Sequence, residues 1–339
     1  MCCVILARSR QNIPLLALTV ITLVFVLITV LLKNNRFSSG FLASLISFSN
    51  PTCNYVCFAI PRTGNRLGNH LFYFAGVQYA AWLTGRMPCI KNGSSRSPLD
   101  EVFDLDIARV SVEDRCPVYR FRHMVVYAYN PQVIALVDVP SNWSILLKGS
   151  FASWMYTRPI AQQLRHALNF RSQPAQLAAK FVSYTVPPGW TASSFVRVGV
   201  HVRRGDFLGR WQVKTGFTTA TPLYLRRALG YFVERFARIQ FIVASNDIPW
   251  CREHIRSSTW DRNVVNITFS EGHSAGTDLA ILASCDHTVM TTGTFGWWAA
   301  WLANGTTVYY SEFPRRGSSL RNRSRIEEYY PPYWIPIDG

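Results

Sequence analysis

The sequence has few acidic residues and no long run of basic ones. Its 339 residues include 19 Asp and Glu against 35 Lys and Arg, a formal net charge of +16 at pH 7. A basic balance is typical of nucleic-acid binding. The basic residues are scattered, however, and no recognised nucleic-acid motif is present. We therefore expect no nucleic-acid partner, and an anionic substrate or membrane surface fits the charge at least as well.

Charge is absent from residues 13–32, a 20-residue apolar run. A run of this length is long enough to cross a bilayer as a helix. A cleaved signal peptide has a shorter core and a small-residue cleavage site, and no Ala-x-Ala pattern follows Leu32. We therefore predict a cytoplasmic tail at 1–12, an uncleaved transmembrane signal anchor at 13–32 and a stem at 33–52.

Two features after the anchor predict that the body lies in an oxidising lumen. Acceptor sequences for N-glycosylation occur at Asn92, Asn142, Asn266, Asn304 and Asn322. Six cysteines also follow the anchor: Cys53, Cys57, Cys89, Cys116, Cys251 and Cys285. This even number predicts three disulfides, whose pairing the sequence leaves open. Zinc is the alternative, but Cys53-x-x-x-Cys57 has only loose ligand spacing and no second close pair accompanies it.

The body divides into two predicted domains at the helix-breaking stretch Pro187-Pro-Gly-Trp190. Residues 53–188 form an N-terminal domain that begins with a predicted strand. Residues 189–315 alternate apolar strands and amphipathic helices, which predicts a parallel sheet flanked by helices. Residues 316–339 are assigned to a C-terminal tail.

The first predicted strand leads into a glycine turn and an amphipathic helix. Gly64 and Gly68 permit a tight turn that exposes the backbone. Asn69 is predicted to be the N-cap of the helix. Strand, glycine turn and helix together are typical of a corner that binds an anion or a sugar, although capping alone would also explain the asparagine.

A polar cluster, His201-Val-Arg-Arg-Gly-Asp206, follows the apolar run Phe195–Val202. In an open α/β sheet, ligands bind outside the carboxyl ends of the strands. Two planar guanidinium groups at such a place match the oxygens of a phosphate. The alternative is a solvated arginine pair, with one arginine bridged to Asp206. Thr291-Thr-Gly-Thr-Phe-Gly296, which enters a later helix, favours the phosphate because a helix N-terminus attracts anions.

A metal would need a different set of residues. Asp104 and Asp106 form an Asp-x-Asp pair, which is able to hold a divalent ion and a diphosphate. The pair follows a predicted short helix rather than a strand end, which favours surface acids. We therefore expect no metal cofactor.

Four segments resemble the galactoside α-1,2-fucosyltransferases, the family of the blood-group H and secretor enzymes. These segments are Gly64–Asn69, Val198–Asp206, Ser245–Ile255 and Asp278–Leu302. The resemblance implies an α/β fold of the GT-B type, with two Rossmann-like domains facing a cleft. It also implies a Golgi membrane enzyme of single-pass type II topology. Such an enzyme transfers fucose from GDP-β-L-fucose to a β-galactoside-terminated glycan, without a metal and with inversion. A homodimer is compatible with this assignment.

The same resemblance gives roles to individual residues. Arg203 would grip the β-phosphate, Arg204 would support the site, and Asp206 would orient the arginines. The residues implied near the guanosine are His201 and Asp278. Those implied along the diphosphate are Thr292, Gly293, Thr294 and Phe295. On the acceptor side, the implied residues are Arg66, Asn69 and His70.

The general base is left open by the sequence. An inverting transfer needs a carboxylate or imidazole near the acceptor hydroxyl, or substantial dissociation of the leaving group before attack. His70, Asp206 and Glu271 are candidates, each with a structural role as the alternative. The competing functions are GDP-fucose transfer to another acceptor or linkage, and a catalytically silent, anchored glycan-binding homologue.

Overall fold

The computed structural model describes residues 53–60, 66–94, 97–114, 116–191, 193–261 and 264–339. The predicted cytoplasmic tail, anchor and stem lie outside these residues, as does Gly64 of the predicted turn. Within the described ranges, no helix combines the length and the hydropathy needed to cross a membrane. Residues 53–339 form one folded unit.

The first half of this unit contains a five-stranded parallel sheet. Its strands are Tyr55–Phe58 (β1), Met87–Lys91 (β2), Ala108–Val110 (β3), Val118–His123 (β4) and Ser144–Gly149 (β5), in the order β3-β2-β1-β5-β4. The helices of this half are Leu67–Thr84 (α1), Leu99–Val102 (α2), Trp154–Thr157 (α3), Ala161–Ala167 (α4) and Ser172–Tyr184 (α5). Short 3-10 helices cover Val112–Asp114 and Pro131–Asp138.

The second half contains a six-stranded parallel sheet. Its strands are Val196–Val202 (β6), Ile239–Ser245 (β7), Val265–Ser270 (β8), His287–Met290 (β9), Thr307–Tyr310 (β10) and Ile335–Ile337 (β11). Its helices are Arg210–Thr215 (α6), Pro222–Val233 (α7), Ile248–His254 (α8), Ala275–Ala283 (α9), Thr294–Ala303 (α10), Ser319–Asn322 (α11) and Ile326–Tyr329 (α12). Gly205–Leu208 and Ser257–Thr259 are 3-10 helices. The predicted parallel α/β architecture is confirmed.

The strand order of the second sheet defines where a ligand binds. The order is β11-β10-β9-β6-β7-β8, so the chain first winds outward from β6 and then returns to place β9 on the other side of β6. This is the doubly wound order, and its topological switch point lies between β6 and β9. The apolar run of β6 is explained by burial on both faces, since Val198, Val200 and Val202 are all buried.

The halves meet along helices α1 and α10. Phe72 of α1 packs against Trp297 and Trp298 of α10, with ring centroids 4.7 Å and 5.0 Å apart. Farther along α1, Gly76 is needed for close packing, because an added Cβ would lie 2.5 Å from the Phe151 ring. Both helices are apolar on most of their surface and are buried accordingly.

Helix α5 belongs spatially with the second sheet although it precedes the predicted boundary at 188. Its Ala178 packs in a cluster with Ile242 of β7 and Ile281 of α9. The segment 316–339, assigned above to a C-terminal tail, is also part of the folded body. It contributes β11 to the second sheet, and its Tyr329 is fully buried.

The prediction of three disulfides is wrong. The bridges are Cys53–Cys116 and Cys57–Cys89, both within the first half. Cys251 and Cys285 are buried free thiols that pack in two different hydrophobic clusters, so they are not paired. Burial raises the pKa of Cys251 to about 11 and that of Cys285 to about 12.

Candidate functional site

A cavity of about 430 Å³ lies at the carboxyl ends of the strands of the second sheet, beneath the N-terminus of α1. Residues from both halves line it, from Arg66 on one side to Phe295 on the other. Its position at the switch point between β6 and β9 is the usual ligand site of a doubly wound sheet.

Arg203 lies at the centre of this edge. Its backbone N–H donates a hydrogen bond of 2.8 Å to the Thr291 hydroxyl, which ties the end of β6 to the end of β9. The Arg203 side chain is only 12% exposed, lies over the Phe207 ring and donates to the Asp206 carboxylate. Burial lowers the pKa of Arg203, and the charge of Asp206 opposes that shift. An arginine stays protonated in such a place, so Arg203 supplies a positive charge to the cavity wall.

Arg204 turns away from the cavity and is not among the residues that line it. Its side chain donates to the Asp247 carboxylate at 3.3 Å and stacks on the Trp250 ring at 3.8 Å. Its backbone N–H donates to the side-chain oxygen of Asn246, which does line the cavity. The two adjacent arginines therefore have different surroundings, and Arg204 acts on the site through its neighbours.

The second anion-binding element is the N-terminus of α10. Gly293 is its N-cap, with φ +88, a conformation that favours glycine. The predicted residues Thr292, Gly293, Thr294 and Phe295 all line the cavity. The N–H groups of a first helical turn have no partner within the helix, so α10 offers donors and a favourable dipole to an anion beside Arg203.

The N-terminus of α1 meets the N-terminus of α10 at the same place. An added Cβ at Gly68 would lie 2.6 Å from backbone atoms of Thr294 and Phe295, so only glycine permits this approach. The Thr294 hydroxyl donates a hydrogen bond of 2.9 Å to the side-chain oxygen of Asn69. Arg66 reaches the Asp206 carboxylate at 3.4 Å. Arg66 and Asn69 therefore both face the cavity, which they line.

The prediction of Asn69 as an N-cap is wrong. Helix α1 begins at Leu67, with Arg66 as its N-cap, so Asn69 lies inside the first turn. The helix starts earlier than its polar residue suggests because Leu67 and Gly68 are already buried against the second half. The Asn69 side chain is thereby directed to α10 instead of its own backbone.

His201 and Asp278 line the cavity with little exposure. Burial and the nearby Arg203 lower the pKa of His201 to about 3, so its imidazole is neutral near pH 7. Its ring lies 5.0 Å from that of Phe295. Asp278, in the first turn of α9, accepts a hydrogen bond of 2.6 Å from Ser270 at the end of β8. Burial raises the pKa of Asp278.

Four other residues named from the sequence do not line the cavity. His70 is buried, with its Nδ1 atom 3.0 Å from the Ser97 hydroxyl. Glu271 forms an exposed ion pair with Arg252 at 2.8 Å. Asp104 and Asp106 are exposed. Of the three candidate bases, Asp206 alone lies in the cavity.

The sequence reasoning missed an aromatic part of the cavity, formed by Tyr127, Trp211 and Phe217. None of these residues falls in a motif. Tyr127 lies in the loop after β4, Trp211 in the short helix α6 and Phe217 in the loop after α6. Backbone strain marks one of them, since Tyr127 has φ +47, but a sequence does not reveal that. Among the predicted glycosylation sites, Asn92, Asn142, Asn304 and Asn322 are exposed and Asn266 is half-buried in the edge strand β8.

Two parallel sheets and an arginine beside a helix N-terminus define an α/β protein that binds a phosphorylated ligand at a switch point. The sequence model of glycosyl transferase family 11 matches residues 27–338, and the chain belongs to this family.

Its relatives include galactoside alpha-(1,2)-fucosyltransferase 1 of Mus musculus, 31% identical over 81% of this chain and 71% of the relative. The Sus scrofa protein of the same name is 32% identical over 81% of this chain and 73% of that protein. Among solved structures, a mutant of Arabidopsis thaliana FUT1 in complex with GDP superposes with a TM-score of 0.53 at 12% identity. That match covers 82% of this chain and 75% of the other, and it shows similarity of fold.

Proposed function

We propose that this family 11 glycosyltransferase moves L-fucose from GDP-β-L-fucose to the 2-hydroxyl of a terminal β-galactoside. The names of the mouse and pig relatives support the reaction and its acceptor. The observation that carries the proposal is the meeting of Arg203 with the N-terminus of α10 at one cavity. In this proposal the two sheets are the two Rossmann-like domains of a GT-B enzyme.

The diphosphate of the donor lies between Arg203 and the first turn of α10. As the bond from fucose to the β-phosphate breaks, negative charge grows on the phosphate oxygens. The planar fork of Arg203 and the N–H groups of Thr294 and Phe295 stabilise that charge, and they are fixed before the reaction begins. Arginine and helix donors thus take the part that a divalent ion plays in other transferases, so the transfer proceeds without metal.

The guanine lies on the side of Asp278. A carboxylate accepts hydrogen bonds from the N–H and NH₂ groups on one edge of guanine. His201 adds a neutral imidazole to the same cavity wall, with its Nδ1 atom buried against Gly296 of α10. Asp278 and His201 together give the donor site its preference for guanine among the nucleobases.

Asp206 acts as a positioning residue. Its carboxylate contacts both Arg203 and Arg66, and these two contacts hold it in one place. Attack by the acceptor hydroxyl inverts the anomeric centre, and it relies on advanced dissociation of the GDP leaving group rather than on a strong base. GDP leaves with the electron pair of the broken bond, and the hydroxyl proton passes to solvent as the new bond forms.

The proposal is tested by incubating the full-length protein, in detergent, with GDP-fucose and an array of glycan acceptors. We expect fucose on the 2-hydroxyl of terminal β-galactosides, with activity retained in excess EDTA. Absence of transfer to every β-galactoside would reject the function. Complete loss in EDTA, restored by a divalent ion, would reject the metal-free mechanism.

The location of the enzyme is a further part of the proposal. Residues 13–32 anchor the chain in the Golgi membrane with the body in the lumen. Glycans on Asn92, Asn142, Asn266, Asn304 or Asn322 would report that topology. Protease protection of the body in intact vesicles, together with a mass shift on deglycosylation, is the expected result.

A further inference from the structure

The residues of the cavity lie in a definite order along the edge of the second sheet. Asp278 is bonded to Ser270 at the end of β8, on one side of the sheet. Arg203 and Thr291 mark the centre, at the ends of β6 and β9. Because β8 and β10 lie on opposite sides of this pair, residues near the end of β10 form the other side of the cavity.

That other side is aromatic. Phe217 contacts Phe313, which follows β10, with ring centroids 5.9 Å apart. Tyr127 of the first half contacts the same phenylalanine ring at 5.6 Å. Trp211 of α6 completes this part of the cavity lining.

The order limits where the acceptor enters. A nucleotide sugar is a linear molecule of base, diphosphate and sugar. With the base near Asp278 and the diphosphate at Arg203, the fucose extends toward the β10 side. The acceptor must approach the fucose carbon from the side opposite the leaving diphosphate, so it binds among the aromatic residues.

Trp211 is 68% exposed although it is a large apolar side chain. A large apolar side chain normally stabilises a protein by being buried. An exposed one that lines a cavity therefore indicates a binding role. The backbone around it is fixed. Arg315 donates to the Val213 carbonyl at 3.2 Å and Ser319 donates to the Thr215 carbonyl at 3.2 Å. Helix α6 is therefore anchored to the segment after β10 while its indole stays open to the cavity.

From these observations we infer that Trp211 is the stacking platform for the acceptor galactose. This inference rests on the proposed function. One face of β-galactopyranose carries the C–H bonds of carbons 3, 4 and 5, whose partial positive charge suits the negative face of an indole. A galactose stacked in this way keeps its equatorial 2-hydroxyl at the ring edge, free to point at the donor. Glucose presents a different face, because its carbon 4 is inverted.

The test compares Trp211→Ala with Trp82→Ala. Trp82 is 51% exposed at the far end of α1 and does not line the cavity, so it is a matched control. For Trp211→Ala we expect the acceptor KM to rise about tenfold, the effect of losing one aromatic contact. The Kd for GDP, measured by calorimetry, should stay unchanged in both variants. The preference for a β-galactoside over the matching β-glucoside should fall in Trp211→Ala alone.

Two further variants separate the loss of stacking from a loss of folding. Trp211→Phe keeps an aromatic face and should keep most of the galactoside preference, whereas Trp211→Leu should lose it. An unchanged acceptor KM in Trp211→Ala, or equal behaviour of the Phe and Leu variants, would overturn the inference. A wild-type protein that binds GDP but transfers no fucose would instead overturn the proposed function.

Discussion

The Thr294 hydroxyl donates a hydrogen bond to the side chain of Asn69 across 225 residues of sequence. This bond joins the first turn of α1 to the first residue of α10, so two helix N-termini meet at one cavity. Each helix N-terminus carries a partial positive charge that attracts anions. An anion bound there is held by both halves of the chain at once.

Gly68→Ala should separate these helices. The added Cβ would meet backbone atoms of Thr294 and Phe295 at 2.6 Å, and backbone yields at a cost. We expect a loss of stability of about 1–3 kcal/mol, with a lower kcat, measured by thermal unfolding and fucose transfer. Gly230→Ala in α7 is the control, since among the described residues nothing lies within 4 Å of its added Cβ. It should stabilise the protein by about 0.5–1 kcal/mol, and equal behaviour of the two variants would contradict the close approach.

Arg203→Lys and Arg204→Lys should differ although the residues are adjacent. Lysine cannot reproduce the planar fork, so we expect Arg203→Lys to lower kcat/KM by about 100-fold or more. It should also weaken GDP binding. Arg204 lies outside the cavity lining, bonded to Asp247 and stacked on Trp250, so its variant should bind GDP nearly as the wild type does. Calorimetry with GDP separates the two, and equal losses would place both side chains on the diphosphate.

Asp206→Asn distinguishes a positioning residue from a general base. The amide keeps the size of the carboxylate but loses the charge that holds Arg203 and Arg66. If Asp206 only positions the two arginines, Asp206→Asn should lower kcat about tenfold. Loss of a general base would cost about 100-fold to 10,000-fold. Steady-state kinetics at saturating acceptor decide between these outcomes.

Chemical labelling can distinguish the free cysteines from the disulfide-bonded ones. Of the six from Cys53 onward, Cys251 and Cys285 alone should react with a thiol reagent after denaturation without reductant. Their burial and raised pKa should protect them in the native protein. Peptide mapping would identify the labelled positions, and any label on Cys57 or Cys89 would contradict the pairing. Reduction of the two bridges should cost about 2–5 kcal/mol each.

His123 should make the protein less stable in mild acid. Burial lowers its pKa to about 4, against about 6.5 in an unfolded chain. Between these values the unfolded state binds a proton that the folded state does not, so stability is lost as pH falls. From pH 6.5 to pH 5 the loss is about 1.6 kcal/mol. Denaturant unfolding at both pH values measures the free energy of unfolding. That free energy should change less with pH in His123→Gln than in the wild type, and an equal change would refute the assignment.

Much of the second half could be predicted because its local patterns agree with its fold. Apolar strands such as Phe195–Val202 are buried on both faces and bounded by turn residues, so five of the six strands and their parallel direction follow from the sequence, whereas β11 lies in the segment assigned to a tail. The segment Thr291–Gly296, predicted to enter a helix, contains the start of α10 at Thr294. The strand ends then located Arg203 and Thr292–Phe295 in the cavity.

The structure of the first half is harder to predict from the sequence, because its strands are short and carry charge. Ala108–Val110 has three residues, two of them exposed, and no periodicity marks such a strand. The Asn69 side chain was misassigned because its partner, Thr294, is distant in sequence. The aromatic part of the cavity was missed for the same reason, since Trp211, Tyr127 and Phe217 are brought together by tertiary packing alone.

The two disulfides also set how the body responds to pulling. Cys53 begins the described body and is bridged to Cys116, while Cys57 in β1 is bridged to Cys89 in β2. Any tension arriving through the preceding residues therefore enters covalent bonds before it reaches the hydrogen bonds of the sheet. Strand β1 cannot separate from β2 while Cys57–Cys89 is intact, so helix α1, which follows β1 and carries Asn69, keeps its place over the cavity under load.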